Sequence, residues 1–129
     1  MDRVLRTHRH FSGEGRHTLL YFSTDQAEQP GAIQSLGVKV DLTASTTLAT
    51  VTGQHGTNGW FMAGKPVVLT LLPSDPPLAD GSRGSGVAAT DYAVNGGSVT
   101  TYTGPLTFTD GLYSVAYWSV DRTGNVEPV

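Results

Sequence analysis

The chain has 129 residues, a formal net charge of −3 and no cysteine. That is enough chain for one core, it excludes disulfides and thiolate metal centres, and it argues against a nucleic-acid surface. With 16 Gly, 7 Pro and no helical periodicity, the composition predicts short strands and turns, and no apolar run is long enough to span a membrane.

Residues 1–14 carry Arg3, Arg6, His8, Arg9 and His10 among scattered apolar positions, and a mobile arm is expected there. The opening MDRVLR lacks the apolar core of a secretory signal. Residues 17–24 read as a strand and Pro30-Gly31 as a turn. Over residues 36–42, Leu36, Val38, Val40 and Leu42 alternate with Gly37, Lys39 and Asp41, the pattern of a half-buried strand.

A Thr-rich strand over 46–52 follows, then a polar loop to Gly59 and the pair Trp60-Phe61. Residues 66–72, PVVLTLL, are nearly all apolar and predict a central strand covered on both faces. The loop 73–86 is rich in Pro and Gly and is the first place to seek a binding function. Residues 89–94 predict a short strand, and Asn95-Gly96-Gly97 supplies the positive φ values of a hairpin turn into 98–103. Gly104-Pro105 breaks that strand, 106–109 resumes it, and Asp110-Gly111 turns into a strand over 112–120 closed by the turn 121–125.

That last strand and turn have a degraded copy near the other end of the chain. Laying Gly15 on Gly111 places Tyr21 on Tyr117, Ser23 on Ser119 and Asp25 on Asp121, a constant offset of 96 residues. A period that long, with only part of the first copy present, predicts a chain cut out of phase with its own repeat. After the first copy comes the alternating strand 36–42; after the second, no equivalent strand follows.

The succession VKVDLTAS, NGW, PVVLTL, SGVAATDYAVNGG, TYTGPLTF and TDGLYSVAYWSVDRTGNVE resembles the bacterial immunoglobulin-like repeat of large surface and secreted proteins. This is the type named for an outer-membrane protein and often found beside glycoside hydrolase or adhesin domains. The resemblance covers residues 38–129, and 15–37 match the tail of a preceding repeat. It implies an all-β immunoglobulin-like sandwich of about seven strands, a non-enzymatic structural module and an extracellular or cell-surface location. Two departures stand out: the loop 73–86 is longer than the family's Asp-Gly-Ser-Gly turn, and Ala27-Glu28-Gln29 stands where the family has Ala-Gly-Asn.

The expected organisation is an arm (1–14), a preceding repeat's tail and candidate donor strand (15–42), and a sandwich lacking its last strand (43–129). Without that strand, an acceptor edge carrying Leu112, Val115, Tyr117 and Trp118 is left unpaired. The donor that fits carries Ile33, Leu36, Val38, Val40 and Leu42. Only Thr43, Ala44 and Ser45 separate it from the sandwich, about 10 to 14 Å when extended. That reach favours donation to a neighbouring copy, a head-to-tail contact that propagates as a fibre. The partner is then a second copy or a neighbouring repeat.

The alternative to strand donation is that the chain is a fragment of a multi-repeat surface stalk, whose own next repeat would follow; other readings are weaker. His8, His10 and His17 lie on the arm with no matching carboxylate spacing, so no metal ligands are assigned. Asp75, Asp80, Asp91, Asp110 and Asp121 each have a turn or strand-end role available and form no dense acidic loop, so no calcium site or other cofactor is expected. No Ser sits in a Gly-x-Ser-x-Gly elbow and His55 has no evident partner, so no catalytic residues are assigned and the chain is read as not an enzyme. Trp60 and Phe61, at a loop exit, are the candidate ligand contacts of the rival reading, a carbohydrate-binding accessory domain with a glycan as partner.

Overall fold

A computed structural model describes residues 13–129. The arm expected over 1–14 lies outside the described residues as far as residue 12, and His8 and His10 with it. Glu14 belongs to the folded part: its carboxylate accepts from the Leu42 N–H at 3.1 Å, the Ala79 N–H at 2.8 Å and the Thr43 hydroxyl.

The described residues form an all-β structure of antiparallel strands. β1 (Gly15–Tyr21) and β2 (Gln34–Val40) make a two-stranded ribbon. β3 (Thr46–Thr52), β4 (Val67–Ser74) and β7 (Leu106–Phe108) form one sheet in the order β3-β4-β7; β5 (Val87–Val94), β6 (Thr100–Thr101) and β8 (Val115–Asp121) form the other in the order β6-β5-β8. These two sheets pack as a sandwich.

Local chemistry explains the elements. β3 is TTLATVT, rich in branched side chains that suit a pleated surface. Asn95 and Gly96, at φ 52° and 69°, make the tight turn that ends β5, with the Gly97 N–H donating to the Val94 carbonyl at 2.9 Å. β4 is paired on both edges, as its sequence suggested, but it is not covered on both faces. Leu69 and Leu71 are buried while Leu72 is 63% exposed, because only one face of that sheet has another sheet opposite it. Leu78, from the loop 73–86, is buried as well, so part of that loop serves as core.

β3 and β8 are edge strands of the two sheets on the same side of the sandwich. At one end the Thr47 hydroxyl lies 2.7 Å from the Ser119 hydroxyl, which in turn lies 2.8 Å from that of Thr90. Glu127 closes this end. Its carboxylate accepts from the Thr47 N–H and hydroxyl at 2.8 and 2.7 Å and from the Ser119 N–H at 3.0 Å.

The backbone hydrogen bonds of the internal repeat recur in both copies. The Asp25 N–H donates to the Gln29 carbonyl at 3.1 Å, as the Asp121 N–H does to Asn125 at 3.1 Å. The Gln29 N–H reaches the Asp25 carboxylate at 2.9 Å, as the Asn125 N–H reaches Asp121 at 2.9 Å. The Gly31 N–H donates to the Ser23 carbonyl at 2.7 Å, as the Glu127 N–H does to Ser119 at 2.9 Å. Thr24 bridges Pro30 as Val120 bridges Val126. Even the departure at Glu28 keeps the geometry: it has φ 61° where the second copy has Gly124 at 92°.

Candidate functional site

The two copies diverge after the turn. In the first, the chain enters β2, which pairs with β1 through Tyr21–Gln34, Leu19–Leu36, His17–Val38 and Gly15–Val40. In the second, beyond the Val120–Val126 bridge, no further ladder forms on the outer edge of β8 among the described residues. Between the edges of β3 and β8 lies an open groove of about 640 Å³. Its walls are Ala49 and Val51 of β3, Val67 and Leu69 of β4, Phe108 of β7, and Val115 and Tyr117 of β8.

Of the expected acceptor residues, Leu112, Val115 and Tyr117 line this groove and Trp118 does not. The reason is the period of two: Val115, Tyr117 and buried Ser119 face the interior, and Trp118 projects from the opposite face of the sheet. The strand expected to start at residue 112 starts at Val115. In the first copy the equivalent positions, from Gly15 onward, are strand and are paired with β2.

The donor residues sit together on β2 and its flanks, but they are not free. β1 holds the whole strand in a ladder of seven residue pairs. Among the described residues nothing forms a second layer over Leu36, which is 52% exposed, and Ile33 and Leu42 are exposed as well. Ile33 also has the wrong parity to share a face with Leu36, Val38 and Val40.

Trp60 is 60% exposed at the mouth of the groove, beside Phe61, whose ring packs against His55 with centroids 4.8 Å apart. The expected ligand contacts therefore belong to the same cleft as the acceptor edge. A ring nitrogen of His17 lies 2.7 Å from the Gly13 carbonyl oxygen.

A second polar centre lies where the ribbon meets the sandwich. Carboxylate oxygens of Asp41, Asp75 and Asp121 lie within 4.8 Å of one another. Asp121 accepts from Thr123 and Asn125, Asp75 from the Gly86 N–H at 2.6 Å, and Asp41 from the Thr43 and Ser85 N–H groups at 3.1 and 2.6 Å. Burial pushes the carboxyls of Asp41 and Asp121 up, but these hydrogen bonds outweigh it, and both stand below the ordinary Asp value. The Ser85 hydroxyl lies beside Asp41 and favours its charged form, yet it is buried with no hydrogen bond of normal geometry. Three hard oxygen donors of this kind could hold a Ca²⁺-class cation.

Sequence reasoning missed Asp41 because the alternation over 36–42 assigned it to the solvent face. It missed Glu127 because its partner Thr47 lies 80 residues away. Asp121 holds the turn 121–125, as its sequence predicts, whereas Asp75 ties the start of the loop 73–86 to Gly86 and Ser45. No family model, no curated protein and no solved structure matches the chain.

Proposed function

We propose that the chain is a non-enzymatic structural module of the immunoglobulin-like repeat type. It works at or beyond the cell surface, and a strand from a neighbouring copy completes its sandwich, so that copies join head to tail. The order β3-β4-β7 opposite β6-β5-β8 supports this reading, since it is an immunoglobulin arrangement without the strand beside β8.

One observation carries the proposal. Among the described residues no strand lies along the groove edge of β8 as β2 lies along β1, while Leu36 of β2 stands half exposed. A two-stranded ribbon held to the sandwich mainly at one end, by Glu14, Asp41 and Asp80, gains little from packing along the rest of its length. Moving β2 from β1 to β8 exchanges one ladder for another and adds burial of its apolar face, at about 1.5 to 3 kcal/mol per large side chain before association costs.

Sedimentation and negative-stain microscopy of the intact chain test the reading beside Val38→Asp, which places a charge on the donor face. Regular fibres from the parent and monomers from the variant are the expected outcome. A parent that stays monomeric at all concentrations overturns it. In that case exposed Trp60 at the groove mouth favours the carbohydrate-binding reading, checked by glycan binding that Trp60→Ala abolishes.

A further inference from the structure

The repeat specifies more than which strand fits the groove: it specifies the register. In the first copy Gln34, Leu36, Val38 and Val40 stand opposite Tyr21, Leu19, His17 and Gly15. The 96-residue offset carries those four positions onto Tyr117, Val115, Tyr113 and Gly111, and all four line the groove. Residues directly opposite in an antiparallel pair share a face of the sheet. A strand laid along β8 in the repeat's register therefore turns Leu36, Val38 and Val40 into the groove and Gly37 and Lys39 to solvent. A slip of one residue would reverse this and put Lys39 among apolar walls.

We propose that β2 of a second copy lies antiparallel to β8 with Leu36 opposite Val115 and Val38 opposite Tyr113, having left its own β1 to do so. This rests on the strand-addition reading above. The exchange follows from equivalence. Because β1 and β8 are the same strand of the repeat, the edge of β2 that meets β8 with its apolar face inward is the edge β1 already holds. The ribbon cannot enter as an intact pair without turning Gly37 and Lys39 inward.

Two features at the ends of the edge agree with this register. Pro128 and Val129 line a small cavity with Val115, Ala116 and Tyr117, which puts the chain at the end of β8 where the proposed register starts the added strand. At the other end Leu112 is 84% exposed and outside the strand, whereas its equivalent, Arg16, is paired with Lys39. Arrival of β2 extends β8 back to Gly111.

Because the chain has no cysteine, disulfide trapping is unambiguous, and directly opposed positions have the Cα separation that a disulfide needs. Leu36→Cys and Val115→Cys are made as separate proteins of distinguishable mass, mixed under assembly conditions and oxidised. A mixed 36–115 disulfide dimer at least ten-fold above a Val38→Cys and Val115→Cys mixture is expected. Leu19→Cys/Leu36→Cys, which locks β2 to β1 when oxidised, is expected to stay unassembled and to assemble again on reduction.

If the parent assembles without 36–115 trapping, the register is wrong and the strand-addition reading survives. If the locked protein still assembles, exchange is wrong. A 36–115 disulfide inside one molecule of the double variant Leu36→Cys/Val115→Cys overturns the second copy as the source. A parent that never assembles removes both the register and the reading beneath it.

Discussion

The Glu127 carboxylate takes two hydrogen bonds from Thr47, one from its N–H at 2.8 Å and one from its hydroxyl at 2.7 Å, and so ties the edge of one sheet to the edge of the other. With the Ser119 N–H as third donor, it is the clasp at the closed end of a sandwich whose other end is a groove. Glu127→Ala leaves the Thr47 and Ser119 N–H groups without that acceptor, while the Thr47 hydroxyl keeps Ser119, and the expected cost is about 2 to 4 kcal/mol in urea unfolding. Glu127→Gln keeps acceptor capacity and is expected to lose less. Equal losses from both variants would show that the negative charge is what Thr47 and Ser119 require.

Acid should unfold the protein through its hydrogen-bonded carboxylates. Asp41 and Asp121 have folded-state pKa values below those of the unfolded chain, and Asp80, bonded to Ser82 and the Arg16 N–H, is held at about 2. Groups depressed in this sense add stability that is complete above the unfolded Asp value, about 3.9, and is lost as pH falls through the folded values. Urea midpoints are therefore expected to hold steady from pH 7 to about 5 and to fall steadily from about pH 4 toward 2. Asp121→Asn should lower the neutral-pH midpoint and flatten the acid limb. A limb as steep as the parent's would assign the acid sensitivity to other groups.

Glu28 sits at φ 61°, in a turn where the second copy uses Gly124. A side chain in the left-handed region costs about 1 to 2 kcal/mol, partly offset by glycine's greater freedom in the unfolded chain. Glu28→Gly is expected to stabilise the ribbon by about 0.5 to 1 kcal/mol. Slower amide exchange across β1 and β2, with exchange in β4 unchanged, is the readout.

Gly15 adopts φ 124°, and a Cβ there would run into the Asp80 side chain, which accepts from the Arg16 N–H at 2.8 Å. Gly15→Ala should therefore part the ribbon from the loop 73–86 without unfolding the sandwich. Limited proteolysis between Leu42 and Thr46 is expected to accelerate several-fold, while the core methyl signals of Leu69 and Leu71 keep their shifts.

How much of this was readable beforehand depended on the range of the interaction. β3 fell on Thr46–Thr52 as its Thr-rich segment suggested, and the Asn95-Gly96 turn was legible because two adjacent residues carry it. The matching turns at Asp25 and Asp121 were legible as a repeat. What sequence pattern could not convey is which face of a strand meets a second layer. Asp41 reads as solvent-facing in its alternation and is buried where the ribbon crosses the turn at Thr123 and Asn125. Trp118 reads as core and stands on the outer face. Leu78, inside an apparently irregular loop, is buried because the loop folds back over the sandwich.

The junction at Asp41 has a mechanical consequence. Its carbonyl is gripped by the Thr123 hydroxyl at 3.3 Å and the Asn125 amide at 3.0 Å, while Glu14 holds Leu42, Thr43 and Ala79 together. Tension applied along the chain is thus shared among several bonds in parallel before it reaches the three residues Thr43, Ala44 and Ser45. The ribbon is thereby set at a defined angle to the sandwich, and a pull on it loads these clasps before it loads the ladders of either sheet.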